Sequence, residues 1–145
     1  MKLEPDECRR RLGAAASARL ATVTPDGAPH IVPIVFALVE DRILSVVDAK
    51  PKSTTRLQRV VNLEHEPRAS VLVDHYEDDW DRLWWVRADG TATVTADPTE
   101  LADAVAVIAR RHPQYLSAPY LSSSAPGPVI RIDVHRWVGW AASPG

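Results

Sequence analysis

Apolar residues in this chain fall mostly into short runs, alternating or continuous, broken by Pro, Gly and Asp. Three longer stretches carry helical spacing instead. The first spans Glu4 to Ala16, where Cys8, Leu12, Ala15 and Ala16 stand at i, i+4, i+7 and i+8 and form one apolar stripe. Pro5 suits its first turn. Strand signals follow: Arg19–Thr24, a Pro25-Asp26-Gly27 turn, and a nearly continuous apolar run over His30–Val39. Glu40-Asp41 turns the chain into Ile43–Val47. Short connections predict an antiparallel meander of three strands.

A second helix is predicted after the break at 48–52, capped by Ser53 or Thr54, with Leu57, Val60, Val61 and Leu63 on its apolar side. Pro67 follows its end. Ala69–Tyr76 reads as a strand and Glu77-Asp78-Asp79 as an acidic loop. Leu83–Val86 and Thr91–Thr95 read as strand segments interrupted near Asp89-Gly90 by a hairpin tip or a bulge. Asp97-Pro98-Thr99-Glu100 has the order of a helix start, with Asp97 as N-cap and Glu100 in capping-box position. Leu101, Val105, Ile108 and His112 mark the buried side of this third helix, and Pro113 stops it. Leu116–Pro128 is a Ser/Pro/Ala-rich loop. Val129–Trp140 closes the pattern as a strand with Ile130, Ile132, Val134 and Val138 on one face.

The tally is about six strands and three helices in a single domain over residues 1–145. Strands clustered without alternating helices predict a mainly β fold, an antiparallel barrel with peripheral helices. A six-stranded barrel is filled by its own side chains. A sizeable ligand must then lie outside it, which points to a groove shared by two protomers.

Composition narrows the function classes. The chain has 145 residues, 46% hydrophobic and 25% charged, with 17 Lys+Arg against 19 Asp+Glu. A net charge of −2 excludes a global basic field for nucleic acid, so any anion site is local. No apolar run approaches the roughly 20 residues that a bilayer requires, and the charged stretch Met1–Arg11 has no apolar signal core. Cytoplasmic residence is the expectation. The single cysteine, Cys8, agrees with a reducing compartment and is expected to be buried and inert.

The most informative charges are Lys50, Lys52, Arg56 and Arg59. Lys52, Arg56 and Arg59 share one helical face if the second helix begins near Lys52, and Ser53, Thr54 and Thr55 add hydroxyls. Unpaired N–H groups, short hydroxyls and cations are what a phosphate needs; a solvated basic helix face is the competing reading. Five Trp against one Phe is the second oddity. Trp84 and Trp85 adjoin and must face opposite ways in a strand. Trp80, Trp137 and Trp140 add further surface suited to an interface or a planar ligand, unless they fill the core. The five histidines show no metal spacing, and no metal site is expected. His75, at a strand end beside the acidic loop, is the one candidate proton donor.

These segments resemble a known family. The first helix, Arg19-Leu20-Ala21-Thr22, Asp26-Gly27-Ala28-Pro29-His30-Ile31-Val32-Pro33, the Lys50-Pro51-Lys52 to Arg56-Leu57 stretch and Pro67-Arg68-Ala69-Ser70-Val71-Leu72-Val73 are similar to the flavin/deazaflavin oxidoreductases of the pyridoxamine-phosphate-oxidase-like (FMN/F420-binding) split β-barrel. Asp74-His75-Tyr76 through Trp80, Arg82-Leu83-Trp84-Trp85-Val86-Arg87, with Gly127-Pro128-Val129-Ile130 and Trp137 to Trp140, looks like the actinobacterial subgroup dependent on coenzyme F420. The resemblance spans nearly the whole chain. It implies a six-stranded split barrel and a homodimer with two cofactor sites at its interface.

By the same resemblance the cofactor phosphate lies near Lys50, Lys52, Ser53, Thr54 and Thr55, with Arg56 close by. The deazaflavin lies along Pro33, Ile34, Val35, Val46 and Val47, and a partner segment around Trp80–Trp85 covers it. Arg56 and Arg59 would meet the anionic polyglutamyl tail. The chain departs from the family after Tyr115, where Leu116-Ser117-Ala118 replace an expected basic residue. The implied activity is hydride transfer from reduced F420 to an unsaturated or electrophilic small molecule. The alternatives are an FMN-dependent oxidase or reductase on the same fold, and a non-catalytic cofactor- or haem-binding carrier.

Overall fold

The computed structural model describes residues 1–47, 57–116 and 127–143. Helix α1 (Pro5–Ala14) starts on Pro5, carries Asp6 and Glu7 in its first turn, and buries Cys8 and Leu12 as its spacing predicts. The chain then enters β1 (Ala18–Val23), β2 (Pro29–Ile34), β3 (Ala37–Val39) and β4 (Arg42–Val46). Gly27, at φ 89°, closes the β1–β2 turn, where its N–H donates to Thr24 O at 2.9 Å. Only glycine adopts that φ freely. After α2 (Gln58–His65) come β5 (Arg68–His75), a 3-10 turn at Trp80–Arg82, β6 (Trp84–Thr95), α3 (Pro98–Arg111) and β7 (Val129–Ala141).

The strands form one antiparallel sheet in the order β2-β1-β5-β6-β7-β4-β3. There are seven strands because the predicted run His30–Val39 is two: β2 lies at one edge of the sheet and β3 at the other. Only Val35 and Phe36 join them. Three virtual bonds of 3.8 Å span at most about 11 Å, so the sheet must curl until its two edges meet. Phe36, at the joint, is buried in the core. The predicted three-strand meander is therefore split between two pairs, β1–β2 and β3–β4, on opposite edges.

The interruption near Asp89-Gly90 is a bulge. β6 runs through it unbroken, and the extra residue lies on β7, where Asp89 pairs with Arg136 and Gly90 with Val134, leaving His135 unmatched. The bulge reverses the alternation of β7. Ile130 and Ile132 face the core as expected and Val134 packs against it, but beyond His135 it is Trp137, Gly139 and Ala141 that face inward. The prediction that Val138 shares the face of Ile130 is thus corrected by one inserted residue.

The core fills the curl with Leu12, Leu20, Phe36, Ile43, Val71, Val86 and Ile132, among others. α2 covers it near β1, where fully buried Asn62 donates to Thr22 Oγ1 at 3.0 Å and accepts from Gln58 Nε2. A second cluster lies under α3, around Ala104, Ile108, Tyr115, Val46 and Val129. Asp97 caps α3 by accepting from the Glu100 N–H at 3.0 Å. The Glu100 carboxylate turns instead to Arg131. Among the described residues no helix is long and apolar enough to cross a membrane.

Candidate functional site

Alternation along the strands sorts the candidate residues. On β2, Pro33 is exposed and Ile34 buried; Val35, just beyond, is 40% exposed. Pro33 pairs with Arg19 of β1, Arg19 with Leu72 of β5, and Leu72 with Arg87 of β6. This row lies on the convex outer face of the sheet. One register step away, Ile31, Ala21, Ser70 and Asp89 form a parallel row. In the other direction Asp74 pairs with Trp85, and Trp85 with Trp140. Part of this face forms a shallow outer groove of about 450 Å³, whose wall includes Arg19, Ile31, Leu72, Tyr76, Trp85 and Arg87; Pro33, Asp89 and Trp140 lie outside its lining.

The groove is largely apolar and open to solvent: Ile31 is 63% exposed and Tyr76, Val23 and Trp140 are also exposed. A sheet face of this kind normally finds cover. Arg87 of its wall pairs with Asp89 at 2.9 Å. Partial burial raises the Asp89 carboxyl pKa, but hydrogen bonds from Arg87 and from Ser70 Oγ (2.7 Å), with the charge of Arg136, outweigh burial and hold it below its ordinary value. Trp80, in the turn before β6, is 76% exposed.

Three of the residues expected along the ring have buried side chains. The side chains of Ile34, Val46 and Val47 are buried in the two core clusters. The backbone of Val47 is also engaged: its N–H donates to Pro128 O at 3.0 Å and its C=O accepts from Gly127 at 2.7 Å. Val46 O accepts from the Tyr115 hydroxyl at 3.5 Å. Of the predicted strip, Pro33 and Val35 are therefore the side chains that face outward. The carbonyl of Val35 is held by Ser45 Oγ at 3.0 Å.

The predicted phosphate residues Lys50, Lys52, Ser53, Thr54, Thr55 and Arg56 lie outside the described residues. The structure does correct the helix proposed to begin there. Leu57 is extended (φ −60°, ψ 141°), and its carbonyl accepts the first-turn N–H groups of Val60 and Val61. α2 thus begins at Gln58 with Leu57 as its N-cap. Leu57 packs on the core, and that anchoring fixes the start of the helix.

Trp84 and Trp85 face opposite ways, as adjacent strand residues must. Trp84 turns to a second, larger cleft of about 780 Å³ at the end of the barrel, bounded by the end of α1, the start of β1 and the Trp80–Arg82 turn. The Arg11 guanidinium lies over the Trp84 ring at 5.2 Å. His75, the candidate proton donor, lines this cleft, not the outer groove; its ring stacks on Trp84 at 6.5 Å and its Nε2 pairs with Glu77. The sequence reading did not find this cleft. Its one sequence signal is the pair Arg10-Arg11 beside the apolar stripe of α1. Cys8 is fully buried, and burial raises its thiol pKa, as expected of an inert position. Among the described residues no group of three or more His, Cys, Asp and Glu is placed to hold a metal.

A family model described as pyridoxamine 5'-phosphate oxidase matches residues 4–141. Among solved structures, a conserved hypothetical protein from Mycobacterium tuberculosis superposes with a TM-score of 0.74 at 23% identity, covering 97% of this chain and 86% of that one. An FAD-binding protein from Mesorhizobium loti gives a TM-score of 0.72 at 22% identity, covering 96% and 95%. A haem-binding protein from Mycobacterium smegmatis gives 0.69 at 21% identity, covering 97% of this chain and 60% of the other. At these identities the likeness shows a shared fold. No curated protein matches the chain.

Proposed function

The chain belongs to the pyridoxamine 5'-phosphate oxidase family, and from that premise we propose that it is an F420-dependent oxidoreductase, active as a homodimer with its cofactor in the seam between subunits. The observation that carries this reading is the outer sheet face. Pro33 and Val35 present a flat, exposed apolar edge on the same side as the groove walled by Ile31, Leu72 and Trp85. A filled barrel leaves a planar heterocycle no interior space, so that face is where one fits. A second copy would bury the groove and bring its own Trp80 toward the ring.

A bound deazaflavin supplies the hydride donor; the protein supplies position and electrostatics. Pro33 and Val35 would orient the ring, and cover by the partner would exclude water. Lys50, Lys52, Ser53, Thr54, Thr55 and Arg56 would take the phosphate, and Arg56 and Arg59 the tail carboxylates, as charge-assisted pairs. The Trp-bearing segment from Asp74 to Arg87 supports F420 over FMN. The flavin alternative draws support from relatives described as FAD-binding, and the carrier alternative from the haem-binding neighbour.

The test is equilibrium titration of the purified protein with F420 and with FMN, followed by Trp fluorescence. F420 should quench at micromolar concentration and FMN weakly. Lys52→Glu should weaken F420 binding about tenfold at low salt, and less at high salt, where the pair is screened. Preference for FMN would replace the cofactor assignment, and unchanged F420 affinity in Lys52→Glu would remove the phosphate placement.

A further inference from the structure

The cleft beside Trp84 has no part in the cofactor reading, and its chemistry is specific. Its volume of about 780 Å³ lies in the range of small-molecule sites, about 300–1,000 Å³. Arg11 is 8% exposed. Its Nε donates to Glu7 Oε1 at 2.8 Å, and its plane is held against Trp84. Its terminal nitrogens have no acceptor among the described residues. An arginine fixed at one edge and one face, with its outer fork unfilled, is organised in advance for a carboxylate. Arg19 also lines the cleft and likewise has no acceptor among the described residues.

The other charges limit what fits. Arg10 pairs with Glu7 and Arg82 faces Glu77 at 3.6 Å, both largely exposed, so neither is pre-positioned as Arg11 is. Asp74 and Asp81 stand in the wall and repel a multiply charged anion. Trp84, Leu83, Val73 and Ala15 supply apolar lining for a flat body. We propose that this cleft binds a planar organic anion with a single carboxylate, an aromatic acid, with the carboxylate between Arg11 and Arg19 and the ring system along Trp84. The cleft shares Arg19 and Asp74 with the outer groove, but Arg11 and Trp84 line only the cleft, and the proposal does not depend on which cofactor occupies the groove.

The test is isothermal titration calorimetry at neutral pH with 2-naphthoate as probe, against its neutral counterpart 2-naphthalenemethanol and against inorganic phosphate. Naphthoate should bind one per chain, about tenfold or more tighter than the alcohol, and millimolar phosphate should not displace it. Arg19→Ala, an exposed position, should weaken naphthoate about tenfold, the scale of one charge-assisted contact. Arg11→Lys keeps the charge but removes the fork and should weaken it comparably, with a far-UV spectrum confirming the fold. The proposal is overturned if naphthoate does not bind, if the alcohol binds as tightly, or if Arg19→Ala keeps wild-type affinity. F420 titration of the Arg11→Lys protein, whose changed residue does not line the outer groove, reads the cofactor site separately, so the two assignments fail independently.

Discussion

Glu7 is the residue on which the end of α1 depends. Its carboxylate receives Arg10 and Arg11 together, and those two hydrogen bonds lower its pKa from 4.5 to about 2 against a small opposing effect of burial. The sign follows from linkage. A carboxyl whose folded pKa is depressed binds protons more readily when unfolded, so it stabilises the fold above its unfolded pKa and loses that contribution as pH falls from about 4.5 through about 2. Asp41, held down first by Arg9 and then by Trp137 Nε1, titrates in the same direction. Comparison with Glu7→Gln isolates one group: the urea midpoint of the wild type should fall more steeply than that of the variant between pH 4.5 and 2, and the two should converge at the acid end. Parallel curves would mean that the Glu7 contacts persist in the unfolded chain or contribute nothing. The same carboxylate fixes Arg11 over Trp84, so the variant should also loosen the large cleft.

The element that decides the architecture is the bulged strand β7. Up to Val134 its alternation serves the core through Ile130 and Ile132, and after His135 it serves the core through Trp137, Gly139 and Ala141. Gly139 is required there because a Cβ would stand 2.8 Å from the Cys8 sulfur and 3.1 Å from Leu3 Cδ1. Deleting Val138, beyond the bulge, would turn Trp140 inward and Gly139 and Ala141 outward, a slip that moves every later side chain to the wrong face. The expected outcome is loss of the near-UV Trp signal together with a cooperative stability loss of several kcal/mol, or failure to fold. A native near-UV spectrum in the deletion would mean that the bulge relocates at little cost. The period-2 and period-3.6 patterns made most elements legible in the sequence, including the Asp97 cap and an interruption at Asp89-Gly90 that fitted a hairpin tip or a bulge. They could not show which strand carries the extra residue, because Val138 is as apolar as Val134. Nor could they show that His30–Val39 divides between two sheet edges, since an unbroken apolar run looks the same whether it pairs once or twice.

At the scale of the whole molecule, local patterning no longer suffices. That Trp84 and Trp85 face opposite ways follows from strand alternation and was readable in advance, whereas the outward placement of Pro33 and Trp85 and the burial of Ile34, Val46 and Val47 depend on how the sheet curls. The cleft at Trp84 joins residues from α1, β1, β5, β6 and the chain beyond β7, contacts too distant in sequence for any pattern to disclose. The outer groove carries the last consequence. A curled sheet of this size has no reason to leave Ile31 63% exposed beside Trp140, Val23 and Tyr76 unless something covers them, and burial is worth about 25 cal/mol per Å² of apolar surface. With a second copy as the cover, wild-type protein should sediment as a dimer at micromolar concentration. The double substitution Ile31→Asp with Trp85→Glu places charge at the centre of the seam without touching the core, so it should yield a folded monomer with an unchanged far-UV spectrum. If the cofactor needs both subunits, that monomer should also lose F420 affinity by more than tenfold. A monomeric wild type would dismiss the seam altogether, and a monomeric variant with full F420 affinity would confine the cofactor to one chain.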